Sequence, residues 1–578
     1  MEYCFEDLRV NCASPVWFEN KAPGQIVIGT RWNEVSQPDH QLVISWMMPI
    51  VDIGYQWHPG CKFDRALKAD WWSPLHSKIS ASAPVYSCYS AAGRNRMTLA
   101  LSDACTLLGI RAGVHEEDGT LNFLVTIPLD QTGVTHDYSV TLYRDYDDVS
   151  FAEALRRVTR WWEKDCGMVP MPVPDEARKA MYSFWYSFHQ ATFAADVERE
   201  CARAAALGLK SVIVDDGWQT DDGNRGYAYC GDWEPTPVKI PDMKAHVAKV
   251  HAMGLKYILW YSVPFVGIHS KHWEQFKDKL LSLRGSDVGV LDPRYPEVRS
   301  YLVNTYVKAL MDWDLDGFKL DFIDSFRPDG VLPAPTNEMD YALVEPAVDR
   351  LMTDVMKALK AIKPDILIEF RQSYIGPMMR TFGNMFRVAD CPDDPISNRV
   401  GTIDLRLLSG NTAVHSDMLM WHRDDKPEAA ALQLLSVIFA VAQISVQLDT
   451  LPDDHRALLT FWLNFMREHR DLLLDTPLEV EAPHNLYPLV RAEKDGKAVI
   501  ALYDGGHIAK VNNSSREIWL LNATPETEQG ISCGEKRFFH VELTDCCGRS
   551  AGEYDLTADG LTAISIPVSG MAHLTERE

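Results

Sequence analysis

Short apolar runs that end in carboxylates recur along the middle of the chain. Ser211-Val-Ile-Val leads into Asp215-Asp216-Gly217-Trp218, Gly317-Phe-Lys-Leu ends at Asp321, and Phe386-Arg387-Val-Ala ends at Asp390. In the second run Lys319 and Asp321 stand two apart, so a strand places both side chains on one face. The stretches between these runs carry a helical period, as in Ala195 to Leu207, closed by Gly208. Apolar strands alternating with such helices predict a parallel (β/α)8 barrel with a carboxylate-lined mouth. Its strands are read as Tyr182 to Phe188, Ser211 to Asp215, Lys256 to Ser262, the run carrying Asp321, Ile366 to Arg371, the run carrying Asp390, Thr412 to Asp417 and Ile444 to Leu448. The long segment before the third strand, which holds Trp233, is expected to be a loop on the substrate side.

On either side the pattern changes. Up to about residue 165, short alternating runs such as Gln25-Ile-Val-Ile-Gly and Gln41-Leu-Val-Ile-Ser-Trp are broken by Gly, Pro and Asn, which predicts an antiparallel sandwich. A helical stretch from Phe151 to Trp162 follows, and Pro170, Pro172 and Pro174 then mark a boundary. Beyond about residue 476, runs such as Ala498-Val-Ile-Ala-Leu-Tyr return to a strand pattern. The expected organisation is a multidomain α/β plus β chain. It comprises an N-terminal β-sandwich with a linker helix (1–168), a catalytic (β/α)8 barrel (169–475) and a C-terminal antiparallel β-domain of sandwich type (476–578).

Composition narrows the function. With 81 acidic against 57 basic residues and a formal charge of -24, the chain is a poor partner for nucleic acid or an anionic membrane. The start of the sequence has neither a basic region nor an apolar core of signal type, and no apolar run is long enough to span a bilayer. Twelve cysteines without a Cys-x-x-Cys pair favour neither a zinc site nor a disulfide framework, so a reducing, cytoplasmic setting is expected. His189, His415 and His422 lack metal-ligand spacing, and no metal or organic cofactor is expected.

Two carboxyl groups flanking one bond, one charged and one protonated, are what glycoside hydrolysis requires. Asp321, with Lys319 beside it, is expected to stay ionised and attack, and Asp390 to give the proton from a raised pKa. Asp393 and Asp394 follow closely and are alternative donors. Asp215 and Asp216 suit paired sugar hydroxyls, Trp218 a stacking plate and Trp260 a wall. Arg371 and Arg387 suit hydroxyl or carboxylate donors at the mouth, and Asp324 a supporting role.

Together, Asp215-Asp-Gly-Trp, Lys319-Leu-Asp321 and Arg387-Val-Ala-Asp390 resemble the retaining α-galactosidases of glycoside hydrolase family 36, the melibiase type, whose clan includes family 27. The resemblance implies Asp321 as nucleophile and Asp390 as acid/base. It also implies Asp215 and Asp216 as ligands of the galactose 4- and 6-hydroxyls, and Lys319 and Arg387 as contacts to ring hydroxyls. Where many family members have a Cys-Ser-Gly-Gly-Gly type loop after strand five, this chain has Glu369-Phe-Arg371-Gln-Ser373-Tyr374. That loop faces the sugar 2-position in the family, so an α-galactosaminide, α-N-acetylgalactosaminide or other α-hexoside is the alternative substrate. The expected partner is an α-linked galactoside, oligosaccharide or glycoconjugate, and a homo-oligomer stays open. Two rivals stand outside the class. A Schiff-base lyase would need an uncharged Lys319, and a sugar-binding protein has no use for both Asp321 and Asp390.

Overall fold

The computed structural model describes residues 1–32, 40–131 and 137–577. At its centre eight strands close a barrel in sequence order: β1 Met181–Ser183, β2 Ser211–Val214, β3 Lys256–Ser262, β4 Gly317–Asp321, β5 Leu367–Arg371, β6 Met385–Arg387, β7 Ala413–Leu419 and β8 Val441–Ile444. Every neighbouring pair is parallel. Three expected boundaries move. After Ser183 the aromatic run turns into a short helix, Trp185–Phe188, because an unbroken apolar run has no period that separates strand from helix. The last strand is Val441–Ile444, and Ser445 leaves it to donate to the Ser183 carbonyl at 2.6 Å. β6 stops at Arg387, so Asp390 stands on the loop that follows and not on the strand.

The two-residue alternation sorts the strands into a floor and a lip. Met181, Ile213, Ile258, Leu367, Met385 and Ala413 form an apolar plug inside the barrel. Two residues further along the same strands come Ser183, Asp215, Trp260, Glu369, Arg387 and His415, joined by Lys319 of β4, all buried. Residues of opposite parity, such as Tyr257, Leu259, Tyr261, Phe318, Leu320 and Phe370, face outward into the main apolar core. The barrel therefore spends its apolar side chains on its floor and its outer surface and keeps polar ones for the mouth, the end at which such barrels carry their chemistry.

Two six-stranded antiparallel sheets precede the barrel and enclose their own core, in which Trp46 stacks on Phe123 at 4.8 Å. The helix Phe151–Lys164, capped by the Ser150 hydroxyl, carries Trp161 and Trp162 into the barrel's core. Beyond the barrel an eight-stranded sheet, mostly antiparallel with two parallel pairings, turns Val490, Val499, Trp519 and Leu521 toward that core. Its other face, with Leu489, Ile500, Ile518 and Leu520, closes over a separate core. Asp404, on the barrel helix Pro395–Leu408, joins all three parts. It accepts from Trp57 at 2.9 Å, from Arg65 at 3.0 Å and from the Tyr487 hydroxyl. Among the described residues no helix is long and apolar enough to cross a membrane.

Candidate active site

Asp321 closes β4 and is buried. Its Oδ1 accepts from Arg371 Nε at 2.7 Å, from the Tyr374 hydroxyl at 2.9 Å and from the Phe322 amide at 2.7 Å. Among the described residues its Oδ2 accepts only from Trp260 Nε1, at 3.1 Å, and is the less committed oxygen. Burial alone would raise this carboxyl, but Arg371, Lys319 and Arg387 outweigh it and hold Asp321 well below the usual carboxylate range. The amide of Phe322 is turned onto the carboxylate by a left-handed backbone, φ 64°, a conformation that a bulky residue adopts only under constraint.

Lys319 supplies charge to this site at one remove. Its Nζ donates to Asp215 Oδ2 at 2.6 Å. Desolvation pushes the ammonium down, yet Asp215, Asp321 and Glu369 more than compensate, so its pKa is raised and it stays charged. A charged lysine is no Schiff-base nucleophile.

Asp216 lies beside Asp215 and accepts from Gln190 and Gln219, each at 2.7 Å. Gly217 makes this approach feasible: its φ is 109°, and a Cβ there would stand 2.4 Å from Gln190 Cα. Burial pushes the Asp216 carboxyl up to about 6, against the pull of the two amides and with the help of Asp215. The folded protein therefore retains a proton that the unfolded chain releases near pH ~4. The stability this gives is present at acid pH and lost as pH rises through about 6. Asp216→Asn should lose about 2–3 kcal/mol less than the wild type between about pH 4 and about pH 7 in denaturant unfolding. Equal losses in the two proteins would show that Asp216 is ionised throughout.

Arg387 is buried against three carboxylates. It donates to Asp417 Oδ1 and, at 2.8 Å, to Asp390, and its Nε lies 3.7 Å from Glu369. Asp417 is held from its other side by the Tyr186 hydroxyl at 2.8 Å and the Cys391 amide at 2.6 Å. Asp390 is the accessible member, with 56% of its side chain exposed. Its pKa corrects an expectation. Partial burial raises it, but Arg387 and Lys319 bring the balance below the ordinary aspartate value, so the unliganded protein carries Asp390 ionised.

Most of the expected residues converge here in three hydrogen-bonded groups, Trp260–Asp321–Arg371, Lys319–Asp215–Asp216 and Arg387–Asp390, with the charges of Lys319 and Arg387 acting on Asp321 across the mouth. Trp218 does not join it. Its indole is fully buried, donates to the Trp260 carbonyl at 3.0 Å and packs against Tyr261, Trp233 and Trp313 outside the barrel, so no face is free to stack on a sugar. Asp394 caps the helix Pro395–Leu408 and Asp393 accepts from Gln433, which ties both alternative donors to scaffolding. His415 is buried against the Ala177 carbonyl, and burial pushes it down to about 4. Tyr374, Glu369, Asp417 and Tyr186 gain roles that strand patterns left unassigned. Two of these, Glu369 and Asp417, had a visible signal, standing two residues from Arg371 and His415 on strands already identified. Among the described residues the three-ligand cluster of metal type, His540, Glu542 and Glu553, lies on the C-terminal sheet and not in the barrel.

The comparisons with known proteins agree with this geometry. Residues 177–380 match the family described as Melibiase. The α-galactosidase Mel36A of Lactobacillus acidophilus is 28% identical over 176 residues, which are 29% of this chain and 23% of that protein. The alignment thus spans about a quarter of the length of such curated relatives. In structure, the GH36 α-galactosidase AgaA of Geobacillus stearothermophilus shares the fold with a TM-score of 0.66 at 14% identity, covering 99% of this chain and 81% of its own. A substituted form of AgaA solved in complex with raffinose gives a TM-score of 0.65 at 13% identity, covering 99% and 81%. In sequence and in fold the chain resembles the α-galactosidases of glycoside hydrolase family 36.

Proposed function

We propose that this protein is a retaining exo-α-glycosidase that removes terminal α-galactose through a covalent intermediate on Asp321. The observation that carries the proposal is the state of Asp321: a buried carboxylate held ionised by Arg371 and by three further donors, with Oδ2 the less engaged. In the first step Oδ2 attacks C1 as the bond to the leaving oxygen breaks, and Asp390 gives that oxygen its proton. In the second step Asp390 takes a proton from water, the hydroxide attacks C1, and the ester bond to Asp321 breaks. Two inversions leave the configuration at C1 unchanged.

Asp215, Asp216 and Lys319 would take the sugar hydroxyls on the β2 side. Trp260 would serve as a wall through its ring edge while its N–H holds Asp321. The raffinose bound by the AgaA variant supports an α-galactoside oligosaccharide as substrate class. Twelve cysteines without a disulfide fit a reducing, cytoplasmic setting. The runner-up is a 2-amino or 2-acetamido galactoside, of which the acetamido form is the better matched, since Arg371 at the end of β5 would donate to its carbonyl. A panel of aryl α-glycosides differing at C2 and C4 decides. Galacto-configured substrates should exceed their gluco epimers by about a hundredfold or more, because buried carboxylates shaped for one hydroxyl are left unpaired by its epimer. Equal rates for the C4 epimers would contradict the proposal, and faster 2-amino or 2-acetamido substrates would select the runner-up.

A further inference from the structure

A cleft of about 760 Å³ is lined by Phe322 and Arg371, the neighbours of Asp321 in chain and in hydrogen bonding, and its wall also includes Arg284, Arg327 and Lys78. In a chain with 81 acidic and 57 basic residues, four cations around one cleft run against composition. Two are already engaged: Arg371 with Asp321 at 2.7 Å and Lys78 with Glu345 at 3.3 Å. Both Arg284 and Arg327 are exposed, and among the described residues neither guanidinium has an ion pair or a hydrogen bond.

Arg284 is nonetheless held in place. It ends the strand Leu280–Arg284 of a small sheet inserted after β3, and its guanidinium lies over the rings of Tyr227 at 5.6 Å and of Phe265 and Phe322, both at 5.2 Å. Arg371 lies over the same Phe322 ring, also at 5.2 Å. Two guanidinium groups thus share the ring that directly follows Asp321, and only one of them has a carboxylate. Aromatic faces fix a guanidinium by its plane and leave its N–H edge free, a fork that matches carboxylate, sulfate or phosphate oxygens. Asp324 and Asp329 stand on the same wall. Asp324 accepts from Ser373 at 3.3 Å and is raised by burial, Asp329 is exposed, and neither pairs with Arg284 or Arg327.

We propose that this cleft binds an anionic group of the substrate, a carboxylate, sulfate or phosphate, through Arg284 and Arg327. The inference rests on the assignment of Asp321 as the residue that attacks C1. A group reaching from C1 into a cleft beside Asp321 belongs either to the leaving group or to the substituent at C2, so the test has an arm for each.

Three aryl α-galactosides are compared by kcat/KM: one whose leaving group bears a carboxamide, its carboxylate counterpart, and the carboxamide compound sulfated at O2. One charged substrate should exceed the carboxamide compound by about tenfold, and that ratio should shrink at about 0.5 M salt. In the Arg284→Gln/Arg327→Gln protein the ratio should fall below about twofold. Whichever arm responds identifies where the anion sits. Turnover of all three without preference, or a preference that survives the double substitution, overturns the proposal. Turnover of none would remove the α-galactoside reading itself, and this inference with it.

Discussion

Asp321→Ala should lower kcat/KM on an aryl α-galactoside by roughly ten-thousandfold or more, with the barrel still folded. The substitution removes the attacking oxygen without removing any apolar contact of the floor or the outer core. What remains is a hole lined by the Trp260 N–H, the Tyr374 hydroxyl, the Phe322 amide and Arg371, all of which now donate to Asp321. Such a hole suits a small anion. Added azide should therefore bind where the carboxylate stood, attack C1 from that side and restore part of the rate, giving a β-galactosyl azide. An α-azide, or a variant as active as the wild type, would place the nucleophile elsewhere. Unchanged circular dichroism separates lost chemistry from lost fold.

Asp390→Ala should produce the second-largest effect, and one that depends on the leaving group. Substrates with poor leaving groups need a proton and should slow by about a hundredfold to ten-thousandfold, whereas a strongly activated aryl group leaves unaided and should slow far less in the first step. Equal losses on both would point to another carboxyl. Asp324 is then the next candidate, because burial raises it and it lines the cleft beside Asp321. The lowered pKa of Asp390 has a further consequence for the wild type. In the free protein Arg387 keeps it ionised, but a bound sugar would cover the 56% of the side chain that water now reaches, and that loss of water favours the protonated form. The alkaline limb of kcat, which reports the complex, should therefore lie at higher pH than that of kcat/KM, which reports the free protein.

The strand positions of Lys319, Asp321, Arg371 and Arg387 were legible because alternation is a local property: two residues apart means one face, whatever the surroundings. The barrel itself was legible for the same reason, from apolar runs ending in acid. What failed depended on contacts distant in sequence. Trp218 follows two site carboxylates, yet the space behind β3 left by Tyr261, Trp233 and Trp313 draws its indole into the core. The raised pKa expected of Asp390 failed because Arg387, three residues away, reaches it directly. Tyr374 was expected at the sugar 2-position, but its hydroxyl donates to Asp321. No spacing rule announces a bond between the loop after β5 and the end of β4.

The account stands or falls on the covalent ester at Asp321. An activated α-galactoside fluorinated near the reaction centre, so that the second step is slow, lets that ester accumulate for peptide mapping by mass spectrometry. The predicted result is a single glycosyl adduct on the peptide that carries Asp321. The same adduct on Asp390, Asp324 or any other carboxyl, with Asp321 unmodified, would contradict it.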